Sequence, residues 1–215
     1  MIKRQISFAN HGYQVDAPDP CPICHRHSEI EVTRADLIDS GKGVQVIYRC
    51  AYQNCRQFFF GYYSKIGDPT LIRTSPIKPN SSSFPECIIE LSPLFISIFN
   101  ESEEALQIGL TQIAGPGYRK SFEFLIKDYA ISLAPEKAAE IKTKFSGAVV
   151  NDYIPDPRIQ AVAKRSLWLG NDETHYLRKW ESHDIDDLVN LIKLTTNWIE
   201  IDHLSKSYIK QMPEA

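Results

Sequence analysis

Two places in the chain carry side chains that could do chemistry. The first is a set of two cysteine pairs, Cys21 and Cys24 in CPIC and Cys50 and Cys55 in CAYQNC. Thiolates spaced this way suit zinc, which takes four thiolate or imidazole ligands in a tetrahedron. Two short turns joined by a hairpin can supply two ligands each. His25 and His27, beside the first pair, are alternatives for one thiolate, and reduced unligated thiols are the reading without a metal. The second place is Ala163 to Trp180, AKRSLWLGNDETHYLRKW, where a histidine, an amide, guanidinium groups and large aromatics crowd together. Run as one helix, it sets Val162, Ser166, Leu169, Tyr176 and Trp180 on a face suited to burial. Lys164, Trp168, Asn171, His175 and Arg178 then share the opposite face. Asn171, His175 and Arg178 would converge there on one anion-sized spot. Gly170 marks a kink, a tight helix contact or a break.

The elements that position the cysteines read as strands. SEIEVTRADLI and GVQVIYRC flank a turn at Ser40 to Gly43, and QFFFGYYS continues as a third strand. So short a β unit buries little apolar surface, and a metal would supply the missing stability. Tyr48, Arg49, Arg56, Phe58, Phe60, Tyr62, Tyr63 and Lys65 mix aromatic and basic groups. They read either as the core of a small sheet or as a surface that stacks bases and contacts phosphates. Cys87, outside the pattern, reads as a lone structural thiol. Five prolines between Gly67 and Pro93 favour extended chain and mark a boundary. The expected division is a ribbon over residues 1–75, a connector over 76–92 and a helical bundle over 93–215.

In that bundle Ser92 and Pro93 signal a helix start. Phe95, Ile98, Phe99, Leu106, Leu110 and Ile113 recur at helical spacing until the Gly115 to Gly117 GPG, which is expected to end the run. A second helix from Tyr118 places Tyr118, Phe122, Leu125, Tyr129 and Leu133 on one stripe. Arg119 and Glu123, four apart beside it, read as an ion pair or as part of a site. A third helix is expected from Pro135 to about Gly147, with NDYIPDP as a loop. The last helix carries Ile185, Leu188, Ile192, Thr195 and Ile199 inward, with Asp184 as its cap. The fold class is therefore α+β: a small antiparallel β zinc ribbon followed by an all-α antiparallel bundle of five helices.

At 215 residues and 43% hydrophobic content the chain has the composition of a folded protein rather than a disordered one. A formal charge of -3 gives no global reason to bind nucleic acid, so phosphate contacts must come from a local basic patch. No apolar run approaches the roughly 20 residues of a membrane helix, and the first residues lack a signal-peptide core. A cytoplasmic protein with no membrane partner is expected, and the five cysteines, an odd number in clusters, agree with reduced thiols. Neither H-E-x-x-H nor a paired acidic cluster is present, which argues against a metal-dependent hydrolase. His11, His183 and His203 read as surface residues.

CPIC, CAYQNC, the proline-rich connector, YRKSFE at Tyr118 to Glu123 and WLGNDETH at Trp168 to His175 together resemble an uncharacterised bacterial family. That family joins an N-terminal zinc ribbon to a helical domain similar to the HEPN superfamily, which includes metal-independent endoribonucleases of toxin and anti-phage systems. The resemblance implies a homodimer, with RNA as a candidate partner and a composite site at its interface. His175 matches the family histidine and Asn171 the polar residue four before it. The arginine of catalytic members stands closer to the histidine than Arg165, which has nine residues between, so Arg178 and Arg119 are further candidates. Two functions follow as expectations: a dimerising adaptor or nucleic-acid-binding module recognising its partner through the ribbon, or a metal-independent endoribonuclease.

Overall fold

The computed structural model describes residues 2–8, 11–64 and 69–213. Lys65 lies outside them. The fold is α+β, and the chain separates into two units, residues 1–80 and 81–215.

Among its described residues the first unit contains two antiparallel sheets. β1 (Ile2–Phe8) and β2 (His11–Ala17) form a hairpin. β3 (Ile30–Ile38), β4 (Gly43–Cys50), β5 (Phe58–Ser64) and β6 (Thr70–Ser75) follow one another in a four-stranded sheet. The expected three strands are β3, β4 and β5, so the structure adds the hairpin and β6, which takes part of the proline-rich stretch. A strand exposes alternate residues on opposite faces, and that period divides the aromatics. Tyr48, Phe59 and Tyr63 point inward with Val44 and Val46 and join Ile6, Val15 and Ala17 of the hairpin in one core. Tyr48 and Tyr63 share a hydroxyl hydrogen bond of 2.6 Å, and Tyr63 donates on to the Asp16 carbonyl. Gly61 lies against them: a Cβ there would come within 2.8 Å of the Tyr48 ring. Phe58, Phe60 and Tyr62 take the other face, where Arg49 lies over Phe58 and Arg73 over Tyr62.

The second unit is all helical, with α1 (Glu86–Leu91), α2 (Pro93–Gln107), α3 (Thr111–Leu133), α4 (Ala138–Thr143), α5 (Ser146–Tyr153), α6 (Pro157–Asp172) and α7 (Ile185–Gln211). Among the described residues seven helices thus stand where five were expected. α1 is the apolar CIIEL piece, and its Ile88 is buried in the helical core. Ser92 precedes α2, yet its hydroxyl donates to Asp128 Oδ2 at 2.5 Å instead of capping the helix.

The expected stop at GPG is wrong. α2 ends earlier, at a left-handed Gly109, where Leu110 N–H reaches Ala105 O and Gly109 N–H reaches Leu106 O. This is the glycine-terminated pattern that satisfies the last carbonyls of a helix. The helical phase restarts there, so Leu110 and Ile113 are exposed instead of continuing the Phe95–Phe99 face. α3 runs through Gly115, Pro116 and Gly117 because the glycines let neighbours close in. The Glu173 side chain occupies the space of a Cβ on Gly115, and Ser102 that of a Cβ on Gly117. Downstream, Tyr118, Phe122, Leu125 and Tyr129 are buried along α3, which packs against α2, α5, α6 and α7. The expected third helix is divided: a 3-10 turn at Pro135–Lys137, then α4, then α5, which absorbs the start of the expected loop. α7 opens with a capping box, Asp184 accepting from Asp187 N–H while Asp187 accepts from Asp184 N–H.

Candidate metal centre and basic groove

The four cysteines come from two turns in the first unit. In CPIC, Cys21 O accepts from His25 N–H at 2.9 Å, and Ile23 N–H lies 3.5 Å from Cys21 Sγ. In CAYQNC, Tyr52 O accepts from both Cys55 and Arg56 N–H. Each turn closes on a left-handed residue after its second cysteine, His25 at φ 56° and Arg56 at φ 52°. The four sulfurs all lie within 4.8 Å of one another, and Cys24 Sγ is 3.9 Å from Cys50 Sγ. A metal–sulfur bond of about 2.3 Å sets the tetrahedral edge at about 3.8 Å, so this donor set fits one tetrahedral ion. Burial pushes the Cys21 thiol up to about 12. At Cys50 burial is outweighed by the Ser28 hydroxyl and the Tyr52 N–H, which hold its thiol below the ordinary value. A cation among the sulfurs would keep Cys21 ionised. Neither histidine belongs to the cluster of donors among the described residues. His25 Nε2 is hydrogen-bonded to Lys78 O at 2.6 Å, and His27 Nδ1 lies 2.9 Å from Asp19 Oδ1.

The second candidate region lies in the helical unit and is only partly helical. α6 is capped by Asp156, whose carboxylate accepts from Arg158 and Ile159 N–H, and it continues through Gly170 to Asp172. Gly170 is a tight contact: a Cβ there would lie 2.5 Å from Arg119 Cδ. Beyond Asp172 the chain leaves the helix. Asp172 is 7% exposed, and its carboxylate holds the departing loop by accepting from the backbone N–H groups of Lys179 at 2.9 Å and Trp180 at 2.7 Å. Ser166 and Leu169 are buried as the helical reading expects, but Tyr176 is fully exposed because it lies past the helix end.

Four of the six candidate residues meet in one groove of about 760 Å³ between α3, α5 and α6: Arg119, Glu123, Asn171 and His175. Arg119 Nε donates to Asn171 Oδ1 at 3.1 Å and Nη1 to Glu123 Oε2 at 3.3 Å. Lys127 Nζ reaches the other oxygen of Glu123 at 2.7 Å. Burial pushes the Glu123 carboxyl up, but Lys127 and Arg119 outweigh it and hold the group below its usual range, so it stays ionised. Asn171 and His175 are exposed, and the His175 N–H still bonds Asn171 O across one last turn. The other two candidates lie elsewhere. Arg165 donates to Ala161 O, its guanidinium 5.9 Å from the centre of the Trp168 ring. Arg178 pairs with Glu173 at 2.9 Å and donates to His183 O, because the loop after Asp172 carries it off the helical face.

Sequence reading missed other groove residues. Lys127 lies one turn beyond Glu123, a spacing that could have shown it. Lys144 and Ser146 arrive through the α4–α5 break, which no periodicity reports. Trp168 lines the groove, and its ring stacks on Trp180 at 5.8 Å with 9° between planes. Among the described residues no helix is long and apolar enough to cross a membrane.

Comparison with protein-family models, curated proteins and solved structures finds no match for the chain. A four-cysteine cluster in a β unit followed by an all-helical unit is compatible with the architecture implied by the resemblance.

Proposed function

We propose that the chain is a zinc-ribbon and helical-bundle protein that binds single-stranded nucleic acid, RNA foremost, and acts as a homodimeric adaptor in the cytoplasm. The observation that carries this reading is the groove, where Arg119, Lys127 and Lys164 outnumber the single acid Glu123, Lys144 being paired with Glu140 and Asp152. A chain of net charge -3 that gathers these three cations in one groove concentrates a local field for phosphates. The exposed Trp168 beside them offers a stacking surface for bases. Zinc held by Cys21, Cys24, Cys50 and Cys55 would fix the ribbon, whose Phe58, Phe60, Tyr62, Arg49 and Arg73 face is the surface for a protein partner. The test is binding of single-stranded RNA across a salt series. Lys164→Ala should weaken binding to all sequences alike and reduce the slope of log K against log salt by about 0.7. No binding at low salt would refute the reading.

A second reading, a metal-independent endoribonuclease, is supported by the exposure of His175 beside Asn171 and Arg119 in the groove. His175 takes the proton of a ribose 2'-hydroxyl, whose oxygen bonds phosphorus as the bond to the 5'-oxygen breaks. Arg119 stabilises the charge on phosphorus, and the imidazolium of a second copy protonates the leaving oxygen. Chelator-resistant cleavage giving a cyclic phosphate, lost in His175→Ala, would establish it. Uncut RNA would remove it and leave the adaptor.

A further inference from the structure

α5 starts without a side-chain cap. Its N-cap residue is Phe145, whose ring accepts no backbone hydrogen bond, and the first intrahelical bond runs from Val149 N–H to Phe145 O. The N–H groups of Ser146, Gly147 and Ala148 therefore have no acceptor within the helix. At the same turn Ser146 is 3% exposed, and its buried Oγ has no hydrogen-bond partner among the described residues. It lies near enough to Glu123 to help hold that carboxylate ionised, without forming a bond of proper geometry. Ser146 and Gly147 both line the groove, and a Cβ built on Gly147 would meet nothing within 4 Å. A buried hydroxyl that makes no hydrogen bond of proper geometry and a free helix start thus lie beside the same space.

The charges around that space select the ligand. Lys164 lines it and makes no ion pair with any described residue, while Arg119 and Lys127 share Glu123. Three cations less one carboxylate leave an excess of two positive charges, to which the helix start adds roughly half a charge. Lys144 is already occupied by Glu140 and Asp152. A backbone phosphodiester carries one negative charge, whereas a phosphomonoester carries about 1.5 to 2 near neutrality. We propose that the start of α5 is a seat for a phosphomonoester, as carried by a phosphorylated nucleic-acid end or a mononucleotide. Ser146 Oγ and the free N–H groups donate to it, Lys164 pairs with it, and Phe145, 90% exposed, offers a ring to the attached base.

That the ligand is a nucleic-acid end rests on the nucleic-acid reading, and the experiment separates the two. Single-stranded RNA of about ten nucleotides, with a 5'-phosphate, a 3'-phosphate or neither, is titrated into the full chain, with inorganic phosphate and adenosine monophosphate as competitors. One phosphorylated RNA should bind about tenfold or more tightly than the hydroxyl-ended one, and inorganic phosphate should erase the difference. Ser146→Ala should reduce that preference. Gly147→Asp should abolish it, since an acidic residue in the first turn suits the helix and has room, yet its carboxylate takes the seat. Equal affinity for the three RNAs, or a preference that survives Gly147→Asp, overturns the seat and leaves the nucleic-acid reading standing. If no RNA binds but inorganic phosphate or the mononucleotide raises the Tm of the wild type and not of Gly147→Asp, the seat stands and the nucleic-acid reading falls. If neither phosphate nor any RNA has an effect, both fall.

Discussion

The Arg119 side chain lies across Gly170 so closely that a Cβ on the glycine would come 2.5 Å from Arg119 Cδ and 3.1 Å from its Cβ. The second distance matters more, because an atom next to the backbone cannot move aside as a side-chain tip can. Gly170→Ala brings a helix-propensity gain of about 1 kcal/mol, but it displaces Arg119 and breaks its hydrogen bonds to Asn171 and Glu123. Overpacking at such a contact costs about 1–3 kcal/mol. The expected outcome is a net loss of about 1 kcal/mol in denaturant unfolding, together with weaker RNA binding. A variant more stable than wild type would show that Arg119 does not need the glycine.

The sulfur cluster makes a separate prediction about the β unit. A metal binds the folded turns and not the unfolded chain, so its binding free energy contributes directly to folding. Purified protein should hold one zinc per chain. Chelation or Cys21→Ser should remove amide-exchange protection from β3, β4 and β5 while α3 and α6 keep theirs. Protection retained in a zinc-free chain would refute a structural metal.

Much of this architecture is legible in the sequence, because its signals are local. The cysteine spacing identifies the sulfur cluster, the Phe122–Leu125–Tyr129 stripe identifies α3, and Asp184 marks the start of α7. The failures also have physical causes. GPG looks like a stop because Gly and Pro break helices in isolation, but at Gly115 and Gly117 the Glu173 and Ser102 side chains occupy the space of the missing Cβ atoms. The actual stop, Gly109, is a lone glycine among apolar residues. Nothing in the periodicity shows that Asp172 would receive two N–H groups from residues seven and eight positions on. That bond turns the chain out of α6, so Arg178 leaves the face it would have shared with Asn171.

Asp156 carries a pH dependence. Arg158, hydrogen-bonded to the carboxylate, outweighs the cost of desolvation and, with the Arg158 and Ile159 N–H groups, lowers the pKa from 3.8 to about 2. A carboxyl lowered in the folded state contributes stability that is fully present above its unfolded pKa and lost as pH falls through the folded one. The window is therefore about pH 4 to 2. Asp156→Asn keeps a capping oxygen but no charge, and because the partner Arg158 is exposed to solvent the difference should stay below about 1 kcal/mol. The Tm difference between wild type and variant should be constant above about pH 5 and vanish towards pH 2. A difference that does not change with pH would show that the charge contributes nothing at this cap.

Trp168 links the loop beyond α6 to the groove. Its ring is 44% exposed, lines the groove beside Lys164 and His175, and is backed by Trp180, which the Asp172 carboxylate holds through its N–H. A base stacking on Trp168 would meet an indole already held by Trp180, so little side-chain freedom remains to be lost on binding. Stacking on an aromatic contributes about 1–3 kcal/mol per base. Trp168→Ala should therefore weaken single-stranded RNA by about tenfold to a hundredfold with the salt slope unchanged, since no phosphate contact is removed. Asp172→Asn should act on the same platform indirectly. It replaces an ionised acceptor of two N–H groups with a neutral one, frees Trp180 and lowers affinity less than Trp168→Ala does. In wild type, RNA should quench tryptophan fluorescence, and Trp168→Ala should lose most of that quench. A variant that binds RNA as tightly as wild type would place the bases somewhere other than this ring.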